Sequence, residues 1–159
     1  MIPKIRFAIP ADAELILQFI RGLAEYERAA GSVAATSALI RAQMELADPP
    51  FQCLIAECDG ESAGFALFFR NYSTWSGRPG LYLEDIFVLE RFRGFGIGKA
   101  LFKQMAQTAI ERGCARLEWA MLDWNRPAQE FYRARGAVAK DEWTVWRLDG
   151  EALARTARD

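Results

Sequence analysis

Residues 93–99 form a glycine-rich segment whose spacing is suited to binding an anion. Gly94, Gly96 and Gly98 alternate with other residues, an apolar run precedes them, and an amphipathic stretch follows. The first turn of a helix has N–H groups without intrahelical partners and lies at the positive end of the helix dipole. Because glycines let an anion approach these groups closely, the segment predicts an anion site between a strand and a helix.

The glycine spacing excludes two common phosphate-binding motifs. The interval from Gly94 to Gly98 is one residue too short for a Walker A loop, and Lys99 is followed by Ala100 rather than by a hydroxyl residue. The dinucleotide fingerprint has a different glycine spacing and follows the first strand of a parallel βαβ unit. Here the turn follows a predicted antiparallel hairpin, so that interpretation is excluded as well.

Two acidic residues, Glu84 and Asp85, interrupt an otherwise apolar stretch at residues 80–89. Unpaired charge in such a stretch is unfavourable, so these residues call for an explanation. Because side chains alternate along a strand, we expect Glu84 and Asp85 to point to opposite faces. Two interpretations of Glu84 remain open. It could act as a base or as a ligand of the substrate amine, or it could form an internal salt bridge to an arginine such as Arg93.

The chain of 159 residues contains no histidine. This excludes Ser-His-Asp and Cys-His catalysis and imidazole-ligated metal sites, so proton transfer falls to carboxylates, tyrosine, lysine, cysteine or water. Cys53, Cys58 and Cys114 form no CxxC pair. We expect them to be small buried thiols in a reducing compartment rather than partners in disulfide bonds or ligands of a zinc ion.

The overall composition is that of an ordinary soluble globular protein, with 52% hydrophobic residues, 26% charged residues and a formal net charge of −1. It lacks the basic excess of a nucleic-acid binder, so we expect no nucleic-acid partner. No apolar stretch approaches the roughly 20 residues of a membrane span, and the start lacks the apolar core of a signal peptide. We therefore expect a cytoplasmic protein without a membrane partner, folded as one domain over residues 1–159.

Hydrophobic periodicity predicts the element order β-α-α-β-β-β-α-β-α-β, which describes one α+β domain with helices over a mixed sheet. The predicted strands are residues 5–9, 51–57, 64–69, 80–89, 115–121 and 143–148. Helices are predicted after Asp12, over residues 36–46, behind the glycines and over residues 126–135. Asp59-Gly60 predicts a hairpin turn, Gly113 ends a helix, and residues 71–80 predict a loop.

The segment Arg93-Gly94-Phe95-Gly96-Ile97-Gly98 fits the pattern Gln/Arg-x-x-Gly-x-Gly/Ala and so resembles the coenzyme A pyrophosphate loop of the GNAT superfamily of N-acetyltransferases. Further segments resemble its diamine acetyltransferase family across nearly the whole chain: Ala24-Glu25-Tyr26-Glu27, Asn71-Tyr72-Ser73-Thr74-Trp75, Leu83-Glu84-Asp85, Asp123-Trp124-Asn125 and Phe131-Tyr132. The resemblance implies a mixed, mostly antiparallel sheet of about six to seven strands flanked by about four helices.

The same resemblance implies acetyl-coenzyme A as the cosubstrate and no metal. Backbone N–H groups of the loop would face the pyrophosphate, Arg93 would add positive charge, and Phe87 and Val88 would run beside the pantetheine arm. Asn125 would bond the cofactor further along. The implied cofactor-binding residues are Phe87, Val88, Arg93, Gly94, Phe95, Gly96, Ile97, Gly98, Lys99 and Asn125.

Acetyl transfer to an amine requires removal of the ammonium proton, polarisation of the thioester carbonyl and a proton for the departing thiolate. The family places the base on the residue matching Glu84, acting through ordered water. Tyr132 is the implied acid, because a phenol with a pKa of about 10 stays protonated at pH 7. Taken alone, Phe131-Tyr132 is typical of core packing. The resemblance implies direct attack by the bound amine in a ternary complex. Backbone N–H groups near Val88 would stabilise the oxyanion. An acyl-enzyme on a cysteine remains an alternative.

The acceptor is indicated by the segment around Ser73, which stands where the spermidine/spermine branch of the family has an acidic residue. Together with Leu122-Asp123-Trp124-Asn125, this segment resembles the branch that acetylates the side-chain amine of thialysine. Trp143 would form an aromatic wall against an alkyl-ammonium. For Trp75, Trp124 and Trp143, core packing or a dimer contact remains an open interpretation. The implied acceptor-side residues are Glu27, Ser73, Thr74, Trp75, Glu84, Asp85 and Trp143.

We therefore expect an acetyl-coenzyme A-dependent N-acetyltransferase that acts on the primary amine of thialysine or a related lysine analogue. The alternatives are a polyamine acetyltransferase, then a protein lysine or N-terminal acetyltransferase, then a non-catalytic acyl-coenzyme A binding module. The family resemblance also implies a homodimer, in which Trp143-Thr144-Val145-Trp146 could supply an apolar contact.

Overall fold

A five-stranded sheet forms the centre of the computed structural model, which describes residues 2–158. The strands lie side by side in chain order. They are β1 (Lys4–Phe7), β2 (Gln52–Cys58), β3 (Glu61–Ser73), β4 (Arg78–Val88) and β5 (Leu117–Glu118). The first four strands pair with one another in antiparallel fashion, and β5 is parallel to β4.

The described residues form five α-helices: α1 (Ala13–Tyr26), α2 (Ser37–Met44), α3 (Ile97–Glu111), α4 (Arg126–Arg133) and α5 (Gly150–Thr156). The chain forms two compact units, one up to Met121 with the whole sheet and α1–α3, and one from Leu122 onward with α4 and α5. The predicted α+β class with a mostly antiparallel sheet is confirmed. Within residues 2–158 no helix is both long and apolar enough to cross a membrane.

The sheet of the first unit is buried on both faces, which explains the long apolar runs in β2, β3 and β4. One face packs against α3, whose Ile97, Leu101 and Met105 recur at helical spacing and are at most 1% exposed. The other face packs against α1 and α2, where the rings of Phe19 and Phe65 stack with centroids 5.4 Å apart. These two cores hold the ends of β4 and α3 in place.

Short-range signals in the sequence place several element boundaries correctly. Asp59 and Gly60 have φ angles of 50° and 83°, as a two-residue hairpin turn between right-twisted strands requires. Thr36 caps α2 by accepting a hydrogen bond of 3.2 Å from the Leu39 N–H. Gly113, with φ of 68°, ends α3, and the Cys114 N–H then donates back to Ala109 O.

Three strand predictions need correction. Residues 71–80 are not a single loop, because β3 continues to Ser73 and β4 begins at Arg78, with Tyr72 paired to Pro79. The strand predicted at residues 115–121 is reduced to Leu117–Glu118. Residues 143–148 form no strand, and Trp143, Val145 and Trp146 are exposed. A strand needs a partner ladder as well as β-forming residues, which explains why the described chain has five strands rather than about six to seven.

Candidate active site

The bulge in β4 brings Glu84 and Asp85 to the same side of the sheet. Asp85 pairs with Leu67 and Leu83 pairs with Phe68, so Glu84 is an extra residue without a partner in the ladder. Leu83 and Ile86 consequently both pack in the core under α3, with the two acidic residues between them. The expectation that Glu84 and Asp85 point to opposite faces is therefore wrong, because a bulge interrupts the alternation of a strand.

Asp85 lies half-buried within an acidic group on the α1 side of β4. The pKa of Asp85 is raised to about 6, first by burial and then by the negative charges of Glu84 and Glu27. Glu27 is the C-cap that follows α1, and loss of hydration raises the pKa of its carboxyl as well. Glu84 is exposed, and within residues 2–158 it forms no ion pair with Arg93. The internal salt bridge is therefore excluded, and the group is suited to a cationic ligand.

The second half of β4 presents an open edge. β5 pairs with β4 only at Leu81 and Tyr82, and in the described part of the chain no other strand pairs with this edge from residue 83 to residue 88. The Leu89 N–H donates to Ala63 O of the β3 side at 2.9 Å. Because the direction of backbone groups alternates along an antiparallel ladder, Phe87 directs its groups to β3, whereas Ile86 and Val88 direct theirs outward. The outward groups can pair with an extended amide-containing ligand.

The glycine turn lies at the end of this open edge. Gly94 and Gly96 have φ angles of 84° and 80°, a region that side chains rarely adopt, and Gly96 is the N-cap of α3. The Ala100 N–H donates to Gly96 O, so the preceding N–H groups of Ile97, Gly98 and Lys99 lie in the first helical turn without intrahelical partners. A Cβ atom on Gly98 would lie 3.8 Å from Val88 Cγ2, which places the turn next to the edge.

Arg93 begins the turn and contacts β4 and α1. Its Nε donates to Val88 O at 3.0 Å, and its guanidinium carbon lies 4.9 Å from the centroid of the Tyr26 ring. The same carbon lies 5.6 Å from the centroid of the Phe87 ring. Tyr26 and Ile86 are unexpected neighbours of the site, because neither residue type signals its position relative to an edge strand.

The predicted acceptor residues Ser73, Thr74 and Trp75 lie at the β3–β4 hairpin. Ser73 is 8% exposed, and its Oγ accepts a hydrogen bond of 3.2 Å from the Ser76 N–H, which stabilises the turn. Thr74 is exposed, and Trp75 is 90% exposed at the tip. Thr74 and Trp75 are therefore exposed on the hairpin, whereas the Ser73 hydroxyl helps to stabilise its turn.

The second unit holds the remaining predicted residues, Asn125, Tyr132 and Trp143. Asn125 caps α4, where its Oδ1 accepts a hydrogen bond of 3.3 Å from the Ala128 N–H. Tyr132 is 8% exposed, and burial raises the pKa of its phenol to about 12, although Arg135 lowers it slightly. The phenol is thus protonated at neutral pH. Trp143 is 66% exposed in a segment without regular structure.

The buried cysteines are poor nucleophiles in this fold. Cys53 and Cys58 are at most 2% exposed, in agreement with the prediction of small buried thiols, whereas Cys114 is only half-buried. Burial raises the pKa of Cys53 to about 12, so the thiolate is scarcely populated at neutral pH. This disfavours an acyl-enzyme on Cys53.

Comparison with known proteins identifies the family. Residues 19–137 match the acetyltransferase (GNAT) family. The thialysine N-epsilon-acetyltransferase of Bos taurus is 40% identical, and the aligned region covers 96% of each chain. That of Caenorhabditis elegans is 37% identical over 93% of this chain and 92% of its own. An integron cassette protein from the mobile metagenome of V. cholerae has a similar structure, with a TM-score of 0.81, 26% sequence identity and coverage of 100% of this chain and 99% of its own.

A bulged sheet with an open edge and a glycine turn at a helix start, together with these matches, defines the class: the chain belongs to the GNAT acetyltransferase family. It is an N-acetyltransferase, as its sequence predicts.

Proposed function

We propose that this N-acetyltransferase uses acetyl-coenzyme A to acetylate the side-chain amine of thialysine or a related lysine analogue. A single observation carries the proposal: the open edge of β4 lies between the acidic group at its bulge and the glycine turn at its end. One end of this edge is suited to a cationic amine, and the other end is suited to an anionic pyrophosphate. Each half of the reaction thus has a matching chemical environment.

On the donor side, the N–H groups of Phe95, Gly96, Ile97, Gly98 and Lys99 are proposed to bind the pyrophosphate at the start of α3. The pantetheine arm extends along β4, where the outward backbone groups of Ile86 and Val88 pair with its amides. Phe87 contributes its ring to the floor of this edge, and Gly94 gives the turn its shape. Asn125 is assigned to the cofactor on family resemblance. When bound, acetyl-coenzyme A supplies the activated acetyl group.

On the acceptor side, the proposal assigns Glu27, Glu84 and Asp85 to the ammonium group of the substrate. Ser73, Thr74 and Trp75 of the β3–β4 hairpin are assigned to the acceptor on family resemblance, as is Trp143. The exposed hydroxyl of Thr74 can bond an amino-acid carboxylate without adding negative charge, and Ser73 shapes the hairpin that presents it. The similarity to thialysine acetyltransferases along nearly the whole chain supports this choice.

The proposed chemistry is a direct transfer. Glu84 accepts a proton from the substrate ammonium through water, and the neutral amine attacks the thioester carbonyl. An outward backbone N–H of the open edge near Val88 stabilises the oxyanion. A C–N bond forms, the C–S bond breaks, and Tyr132 donates its phenolic proton to the departing thiolate. The products are the amide and free coenzyme A thiol, with net release of one proton.

The polyamine alternative is less favoured because Ser73 is uncharged, whereas a polyamine carries several cationic groups along its length. A protein lysine or N-terminal acetyltransferase would need an open groove for a peptide chain, and a non-catalytic module would have no use for an acid at Tyr132. An acetylation screen over thialysine, lysine, ornithine, spermidine and a lysine-containing peptide, read by release of free thiol, tests the proposal. Fastest turnover of the peptide would contradict it.

The proposal includes a single catalytic domain that acts in the cytoplasm as a homodimer. The exposed apolar side chains of Trp143, Val145 and Trp146 support a dimer contact, since such a group is unusual on a monomer surface. Light scattering of the purified protein tests this assignment, and a Trp146→Ser variant that leaves a dimer unchanged would remove the segment from the contact.

A further inference from the structure

Arg93 joins three separate parts of the first unit. Its Nε–H donates to the outward carbonyl of Val88, at the end of the open edge. Its guanidinium lies over the ring of Tyr26, the last residue of α1, and near the ring of Phe87 in β4. The start of the glycine turn is thereby connected both to the edge and to the end of α1.

These contacts depend on the shape of arginine as well as on its charge. A planar guanidinium can donate in its plane while its face lies over an aromatic ring. A lysine ammonium is a point charge on a flexible stem and has no donor at the Nε position. Lysine would therefore keep the charge of Arg93 but lose the combined contacts.

The end of α1 carries a proposed acceptor residue, because Glu27 directly follows Tyr26. The ring of Phe87 also packs closely on α1, since a Cβ atom on Gly22 would lie 2.9 Å from Phe87 Cε1. The last turns of α1 are thus held against β4 at Gly22 through Phe87 and at Tyr26 through Arg93. A shift at Arg93 would reach both the donor edge and Glu27.

We propose that Arg93 is a positioning residue that holds the open edge of β4 and the acceptor-side end of α1 together through Val88 O, Phe87 and Tyr26. This inference rests on the proposed function, because the edge is where the pantetheine arm is assigned. It differs from a role as a phosphate ligand, which the sequence resemblance implies for the charge of Arg93. A phosphate ligand acts only on donors that contain phosphate, whereas a positioning residue acts on every donor.

The test compares Arg93→Lys and Arg93→Met with two donors, acetyl-coenzyme A and S-acetylpantetheine, of which the second lacks the pyrophosphate. Both variants should lower kcat/KM by a similar factor of about tenfold for both donors. The KM for thialysine should also rise, because the end of α1 is no longer fixed. A loss confined to acetyl-coenzyme A, with Arg93→Lys close to wild type, would overturn the inference.

Arg91 provides a matched control two positions away. Its guanidinium also lies over an aromatic ring, 4.7 Å from the Phe92 centroid, and it pairs with Glu61 at 2.9 Å, outside the proposed site. Arg91→Lys should leave the kinetics with both donors unchanged. Tyr26→Leu should reproduce the Arg93 effect more fully than Tyr26→Phe, which keeps the ring, and equal effects of the two would count against the Tyr26 contact.

Thermal denaturation of every variant separates a kinetic effect from loss of folding. A wild-type enzyme that turns over neither donor would overturn the proposed function and this inference with it. An active wild-type enzyme whose folded Arg93 variants lose only acetyl-coenzyme A turnover would overturn the inference alone.

Discussion

The backbone carbonyl of Phe87 lies 2.5 Å from the position that a Cβ atom on Gly64 would occupy. Gly64 therefore allows β3 to approach β4 at the same point where β4 presents its open edge. The atom in the way belongs to the backbone, so the sheet cannot accommodate a methyl group by a change of rotamer.

A Gly64→Ala substitution should lower the free energy of unfolding by about 2 kcal/mol or more through overpacking. It should also reduce activity, because relief of the contact displaces Phe87 and Val88. Urea denaturation and steady-state kinetics measure the two effects. Gly31→Ala is the matched control, since nothing lies within 4 Å of its Cβ position, and its stability should stay within about 0.5 kcal/mol of wild type. Equal stability of the two variants would contradict the close approach.

Gly98→Ala should separate folding from cofactor binding. A Cβ atom at this position meets only Val88 Cγ2 at 3.8 Å, which is ordinary contact, so the stability should be unchanged or slightly increased. The added methyl group would stand in the first turn of α3, where the pyrophosphate is proposed to bind. Calorimetry should show coenzyme A binding weakened by about tenfold, as for a lost hydrogen bond to a charged group. Unchanged affinity would remove Gly98 from the phosphate site.

Asp85 should make the protein less stable as the pH rises. Its pKa is about 6 in the folded chain against 3.8 for an unperturbed group, so the folded state binds more protons between these values. The stability associated with the protonated carboxyl is present below pH 3.8 and is lost as the pH rises to about 6. At pH 8, Asp85→Asn should consequently be more stable than wild type by about 1 to 3 kcal/mol.

Urea denaturation from pH 4 to pH 8 measures this difference between Asp85→Asn and wild type. Asp48→Asn changes an exposed carboxylate and controls for net charge. If the stability advantage of Asp85→Asn over wild type became smaller as the pH rises, the prediction would be contradicted. Such a result would show that the folded protein stabilises the Asp85 carboxylate. Asp85→Asn should also raise the KM for the amine, because it removes a negative charge from the acceptor side.

Tyr132→Phe should lower kcat by about a hundredfold or more while coenzyme A affinity stays nearly intact, since it removes only the proposed acid. Because the pKa of the phenol is about 12, Tyr132 should keep its proton below pH 10. Deprotonation of Tyr132 should therefore not lower kcat in that range. Tyr82→Phe is a suitable comparison, because Tyr82 is a half-buried tyrosine whose pKa is likewise raised by burial. Similar turnover of both variants would remove Tyr132 from the role.

The features that the sequence predicts well are those encoded by neighbouring residues. The turn at Asp59-Gly60, the cap at Thr36 and the helix end at Gly113 each depend on a local backbone preference. The glycine segment likewise predicts a helix start with accessible N–H groups, and the structure has α3 begin there at Ile97.

The features that the sequence did not predict depend on partners distant along the chain. The bulge at Glu84 exists because Asp85 and Leu83 pair with successive residues of β3, and no local signal gives that register. The contact of Arg93 with Tyr26 joins residues far apart in sequence. Residues 143–148 have the composition of a strand, but composition does not provide the neighbouring strand that a ladder requires.

The most direct test of the central claim compares kcat/KM for thialysine with kcat/KM for spermidine, using purified protein and saturating acetyl-coenzyme A. Thialysine should be preferred by about tenfold or more, because the proposed acceptor side combines an acidic group with an uncharged hairpin at Ser73 and Thr74. Preference for spermidine by a similar factor would contradict the proposed acceptor.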